Sequence, residues 1–138
     1  MKKKFIVMGE PSKLVRARLS KSRQWDSFAE AQHRWHSVFE DQHGGERLFA
    51  GPLKMEIKFV LGFQDSISVY KRTEKEGDFF SNRPSMSLLI RSIEDVCLES
   101  LYLEEGMIVI TEAFKVYGME PRTEITITEV KIDEKKQQ

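Results

Sequence analysis

The nine residues from Leu53 to Leu61 constrain the fold most tightly. Met55, Ile57, Phe59 and Leu61 recur with a period of two, an alternation that places them on one face of an extended strand. A strand with an apolar face must bury it against another layer. Two segments have the spacing to supply that layer. Trp25, Phe28, Gln32, Trp35 and Phe39 recur at helical intervals over 25–40, and all but Gln32 are apolar. Asp26 or Ser27 stands where that helix needs a cap, and Gly44–Gly45 end it. Over 84–103, Met86, Leu89, Ile90, Ile93, Val96, Cys97 and Leu101 form a broader apolar stripe. Ser85 is its N-cap and Pro84 marks its boundary.

The rest of the chain completes a sheet. Residues 4–8 read as a short strand that Gly9, Pro11 and Ser12 break. Residues 107–117 and 123–132 read as two more strands, with Gly118–Pro121 as a hairpin connection. Residues 64–83 have no firm period and form a long excursion with one helical turn; a loop of that length inside a compact domain points to function. The order β, α, β, loop, α, β, β predicts an α/β (α+β) fold, a single mixed sheet with helices packed on it. A length of 138 residues suits one domain, expected to occupy 1–132, with 133–138 as a polar tail. Cys97 is the only cysteine, so no intrachain disulfide forms, which fits a reducing cytoplasm. No signal peptide and no run of transmembrane length is visible, so no membrane partner is expected.

Basic and acidic residues balance at 22 each, so an affinity for nucleic acid has to come from local clustering. Such a cluster exists. Lys13, Arg16, Arg18, Lys21 and Arg23 fall in one loop or irregular segment without an acidic residue. Like charges so close repel, and they face either water or a polyanion; the arginine fork suits phosphate. The other reading is a solvated loop pairing with nearby acids. Candidate carboxylates are scattered: Glu104–Glu105 in a turn, Asp95 in the second helix, Asp65 and Asp78 in the excursion. No Asp-x-Asp pair stands beside a helix start. His33 and His36 share a helix face but have no third ligand, and read as surface or core residues. Cys97 lies within the apolar stripe and reads as a buried, inert thiol. No nucleotide, haem or flavin motif is present.

Several segments together resemble one family. Gly9-Glu-Pro-Ser-Lys13-Leu-Val-Arg16-Ala-Arg18 is similar to the opening of RusA-type Holliday-junction resolvases, where a glycine and proline follow the first strand and an Arg-x-Arg pair comes next. Gly51-Pro52-Leu53 leading into Lys54–Phe59 resembles their second strand. Arg83-Pro84-Ser85-Met86-Ser87-Leu88-Leu89-Ile90-Arg91 stands where the family has Pro-Asp-Leu-Asp-Asn-Leu followed by a lysine. Tyr102-Leu-Glu104-Glu105 stands where it has a paired-aspartate turn, and Tyr117-Gly118 through Pro121–Ile127 resembles its closing hairpin. The likeness runs over nearly the whole chain.

The departures fall on the metal-binding residues. By that resemblance, aspartates at the helix start and in the later turn hold a divalent metal. Here the first two positions are Ser85 and Ser87, the asparagine position is Leu88, the lysine position is Arg91, and the turn pair is Glu104–Glu105. A neutral hydroxyl is a poor magnesium ligand, while serine remains a good helix cap. The resemblance therefore implies a homodimer that binds branched DNA, with endonuclease activity lost or strongly reduced and no cofactor. Lys13, Arg16, Arg18 and Arg91 would contact phosphates, with Lys21 and Arg23 in the same basic run. One alternative is an active Mg2+- or Mn2+-dependent junction endonuclease with a rearranged site, in which Glu104, Glu105 and Asp95 carry the chemistry and Glu104 and Glu105 hold the metal. The other is a protein-interaction module on the same fold, with Leu88 and Phe79–Phe80 as an apolar patch.

Overall fold

The computed structural model describes residues 1–15 and 22–131, with side chains described from Ser27 onward in the second stretch. Among the described residues there are four strands and three α-helices: β1 (Lys2–Met8), α1 (Ser22–His43), β2 (Leu53–Leu61), α2 (Val69–Lys75), α3 (Met86–Cys97), β3 (Ile108–Tyr117) and β4 (Arg122–Glu129). Short 3-10 turns span Pro11–Leu14 and Glu105–Met107. The expected α/β class and single mixed sheet hold.

The sheet runs in the order β1-β4-β2-β3. β4 is antiparallel to both β1 and β2, and β2 is parallel to β3. β2 is a central strand: Leu53, Met55, Ile57, Phe59 and Leu61 are all buried, as their alternation requires. They meet Phe5 and Val7 of β1 and Ile125 and Ile127 of β4 in one core, which α1 and α3 cover. α1 contributes Ala31, Trp35 and Phe39, one residue per turn. The ring of Phe39 meets Phe5 edge-on at 5.3 Å and Trp35 at 5.8 Å. α3 contributes Leu89, Ile93, Val96 and Cys97.

The expected hairpin between the last two strands does not form. β2 lies between β3 and β4, so residues 118–121 carry the chain across the end of β2. Spanning two strand spacings takes about 9.5 Å, well within the reach of five extended peptide units at ~3.4 Å each. Gly118 makes the crossing close: its N–H donates to the Leu61 carbonyl at 3.0 Å. A Cβ there would stand 2.3 Å from Cγ1 of Val60. At the neighbouring turn, Gly9 donates to the Pro121 carbonyl at 3.0 Å. Its φ of +121° and the Arg34 guanidinium above it leave no place for a side chain.

Other boundaries shift. The first helix is longer than its apolar spacing implied, beginning at Ser22, so the segment read as irregular up to Arg23 ends inside it. Its last turn brings in His43, which is buried and stacked on Phe49 at 5.1 Å with an interplanar angle of 9°. Nδ1 of His43 lies 3.2 Å from the Lys3 ammonium, and Nε2 lies 2.9 Å from the Arg47 carbonyl. α3 is shorter than its stripe, because Leu101 is buried from a turn beyond the helix end. The excursion holds one two-turn helix, α2, capped by Ser68, which accepts the Lys71 N–H at 3.3 Å. Residues 133–138, read as a tail, lie outside the described residues.

Candidate functional site

α3 begins where the chain leaves the excursion. Ser85 has extended backbone angles and its hydroxyl accepts the Leu88 N–H at 3.4 Å, the geometry of an N-cap. Ser87 Oγ lies 3.3 Å from Ser85 Oγ. The approach is anchored by Lys115 on β3. Its ammonium donates to the carbonyls of Asn82 at 2.9 Å and Pro84 at 2.8 Å, and lies 5.7 Å from the centre of the Phe80 ring.

With Leu89, Ile93, Val96 and Cys97 facing the core, the helical period turns Ser87, Leu88, Arg91, Glu94 and Asp95 to another side. After the helix, buried Leu101 and Tyr102 pull the chain back along it, and the next turn brings Glu105 alongside. These six residues line an open cavity of about 400 Å3. Among the described residues Arg91, Glu94, Asp95 and Glu105 make no ion pair. The carboxyl of Glu94 is pushed above its ordinary range, first by burial, then by the negative charges of Glu105 and Asp95; Arg91 opposes this. The Tyr102 hydroxyl donates to the Glu94 carbonyl at 3.4 Å, and burial holds that phenol protonated well above its usual range.

The sequence-named residues divide. Arg91, Asp95, Glu105 and Ser87 come together in the cavity, and Ser85 joins through Ser87. Glu104 is exposed and does not line it. Lys13 is exposed on the first 3-10 turn. Arg16, Arg18 and Lys21 lie outside the described residues, as does the side chain of Arg23. His33 and His36 are both exposed on α1. Cys97 is fully buried and its thiol is pushed up by burial. Phe79 is 78% exposed, whereas Phe80 packs against Tyr117 with ring centres 4.7 Å apart, so the two do not form one patch. Sequence reasoning missed Glu94. Its signal was available: it lies three residues after Arg91 on the same helix.

Magnesium prefers several carboxylate and water oxygens in near-octahedral geometry. At the helix start the cavity offers two neutral hydroxyls engaged with each other and with the backbone. Among the described residues no group of three or more His, Cys, Asp or Glu side chains is placed to hold a metal ion. The residues present do not fit a divalent metal. What the arrangement offers is a cationic guanidinium and an apolar Leu88 beside uncompensated carboxylates.

Residues 9–128 match the family model described as endodeoxyribonuclease RusA. The chain is also similar to an uncharacterized protein, YqaN, of Bacillus subtilis (strain 168), with 25% identity over 143 residues that cover 92% of this chain and 96% of that protein. The match to the family model begins after β1 and spans β2, β3, β4 but for its last residue, both long helices and the cavity, and the chain belongs to the RusA endodeoxyribonuclease family.

Proposed function

We propose that this chain binds branched DNA as a homodimer and has lost, or nearly lost, the ability to cut it. The observation that carries the reading is the use of Ser85 and Ser87. They occupy the positions where the family resemblance implies metal-binding aspartates; the Ser85 hydroxyl caps α3 and the Ser87 hydroxyl is in contact with it. That exchange keeps the helix and removes two anionic ligands. Arg91 stands in the same cavity without an ion-pair partner among the described residues and is free to meet a phosphate. Lys13, Arg16, Arg18, Lys21 and Arg23 supply further phosphate contacts in this reading. With a formal net charge of zero, binding rests on that local cluster and weakens steeply with salt. Two-fold symmetry suits a junction whose strands are themselves paired by symmetry.

The competing reading is a metal-dependent nuclease in which Glu104, Glu105 and Asp95 carry the chemistry; Asp95 and Glu105 line one cavity, whereas Glu104 does not. A labelled four-way junction titrated with protein, with and without Mg2+ or Mn2+, separates the two when anisotropy and cleavage are read in the same samples. Binding without cleavage is the expected result, with Arg16→Ala/Arg18→Ala weakening it and lowering the slope of log affinity against log salt. Metal-dependent nicking that Glu105→Gln abolishes would replace this reading with the nuclease. Absence of binding at low salt would remove both and turn attention to a protein partner.

A further inference from the structure

The two edges of the sheet differ in kind. β1 carries Lys2, Lys3 and Lys4 along its first half, a charged edge that resists pairing with another strand. β3 carries no basic residue before Lys115, and its sequence from Ile108 reads Ile-Val-Ile-Thr-Glu-Ala-Phe, rich in residues that favour strands. Only its far end is covered. The Phe80 N–H donates to the Lys115 carbonyl at 3.0 Å, the Tyr117 N–H to Asp78 at 2.9 Å and the Gly77 N–H to Tyr117 at 2.9 Å. In a parallel ladder the backbone groups of alternate residues turn to the same side. Since Lys115 and Tyr117 turn away from β2, so do Ala113 and Thr111. Among the described residues no backbone group outside the sheet pairs with either of them. The side chains of Val109, Ile110 and Phe114 along this stretch are 58%, 40% and 45% exposed.

We infer that this edge is the contact between two copies of the chain, with residues 109–113 pairing antiparallel across a two-fold axis at Thr111. The inference rests on the homodimer reading above and names its surface. Charge disfavours the neighbouring register. An axis at Thr111 sets Ile110 opposite Glu112, Val109 opposite Ala113 and Ile108 opposite Phe114. Each Glu112 then keeps its own Lys54, 3.7 Å away, and faces an aliphatic side chain across the axis. Moving the axis one residue, to Glu112, would set the two carboxylates directly against each other, which is destabilising. An antiparallel pair about a two-fold axis also closes on itself, so both edges are consumed and no strand is left open to propagate. The sheet becomes continuous over eight strands. α3 packs on β3, and Glu105 leads directly into that strand. In each copy the cavity that Glu105 lines therefore adjoins the start of the paired strand.

The test uses the full chain. Sedimentation velocity gives its mass in solution, and Thr111→Cys reports the axis. In a hydrogen-bonded antiparallel pair the two Cα atoms stand ~5.5 Å apart, within disulfide range. Cys97 is fully buried and does not compete. The expected result is a dimer in which Thr111→Cys becomes covalently linked under mild oxidation, while Asp41→Cys, on the exposed face of α1, does not. Thr111→Lys, which sets two ammonium groups on the axis, is expected to weaken the dimer at least tenfold; its circular dichroism shows whether it folds, and the near-isosteric cysteine decides if it does not. A monomeric wild type overturns both this interface and the homodimer reading. A dimer in which Thr111→Cys fails to cross-link overturns the edge alone.

Discussion

The hydroxyls of Ser85 and Ser87 lie 3.3 Å apart at the start of α3, and Ser85 at the same time accepts the Leu88 N–H. Two side chains that we propose stand at the family's metal-ligand positions here serve the helix and each other. Aspartate caps a helix about as well as serine, so the double variant Ser85→Asp/Ser87→Asp should fold with little loss. Position 87 and Glu105 line the same cavity and position 85 adjoins it through position 87, so the variant adds two carboxylates at that end of α3. Titration with Mn2+, followed by calorimetry, should show binding tightened roughly tenfold or more over wild type, a change of the size that metal-site substitutions produce. Unchanged binding would mean that the serines are not what excludes the metal. Ser85→Ala, by contrast, should cost ~1 kcal/mol of stability by loss of the cap.

Crowding of Glu94 by Glu105 and Asp95 makes stability fall with rising pH in one window. The carboxyl of Glu94 is raised in the folded chain, first by burial and then by those two neighbours. The folded state therefore holds its proton more tightly than the unfolded state, whose glutamate titrates near ~4.3. Stability from this group is fully present below that value and declines as pH rises through the higher folded value. Glu105→Gln removes the first-ranked charge and should flatten the decline. At neutral pH it should stabilise the chain by about half a kcal/mol, the scale of partly exposed charge interactions. Urea denaturation between pH 4 and pH 7 checks this; an unchanged pH slope would count against it.

Arg47 and Glu129 carry the opposite sign. Arg47 donates to both carboxylate oxygens of Glu129, at 2.8 and 2.9 Å, and the Ala50 N–H donates at 2.7 Å. The arginine, more than any other partner, holds that carboxyl far below the ordinary range. Its stabilisation is complete above ~4.3, the unfolded value, and is lost as pH falls through the folded value. Glu129→Gln should lower the urea midpoint at pH 7, modestly because Arg47 is largely exposed. The deficit relative to wild type should shrink in acid. A deficit that does not change with pH would assign the loss to packing.

Lys115 ties the excursion to the sheet through the carbonyls of Asn82 and Pro84. Lys115→Met keeps the aliphatic stem over Phe80 and removes both bonds. Amide exchange over 79–86 should accelerate, with a global cost of about 1–2 kcal/mol from the range for charged hydrogen bonds. Exchange that speeds up everywhere alike would show a role in the core rather than in that segment.

Elements with strong periodicity were legible in the chain before any tertiary contact was known. Met55, Ile57, Phe59 and Leu61 announce a strand with a buried face, and Leu89, Ile93, Val96 and Cys97 announce a helix, because burial on one side imposes spacings that short-range geometry converts directly. The sequence also carried the family likeness. Tertiary structure alone decided the rest. Nothing local distinguishes a hairpin at Gly118–Pro121 from a connection that steps over β2, since both satisfy the same alternation; the difference lies in which strand pairs with which. Glu105 joins Arg91, Glu94 and Asp95 only because Leu101 and Tyr102 are buried beyond the helix end and return the chain along α3. The bare edge of β3 was equally hidden, because a strand becomes an edge only when the others have taken their places.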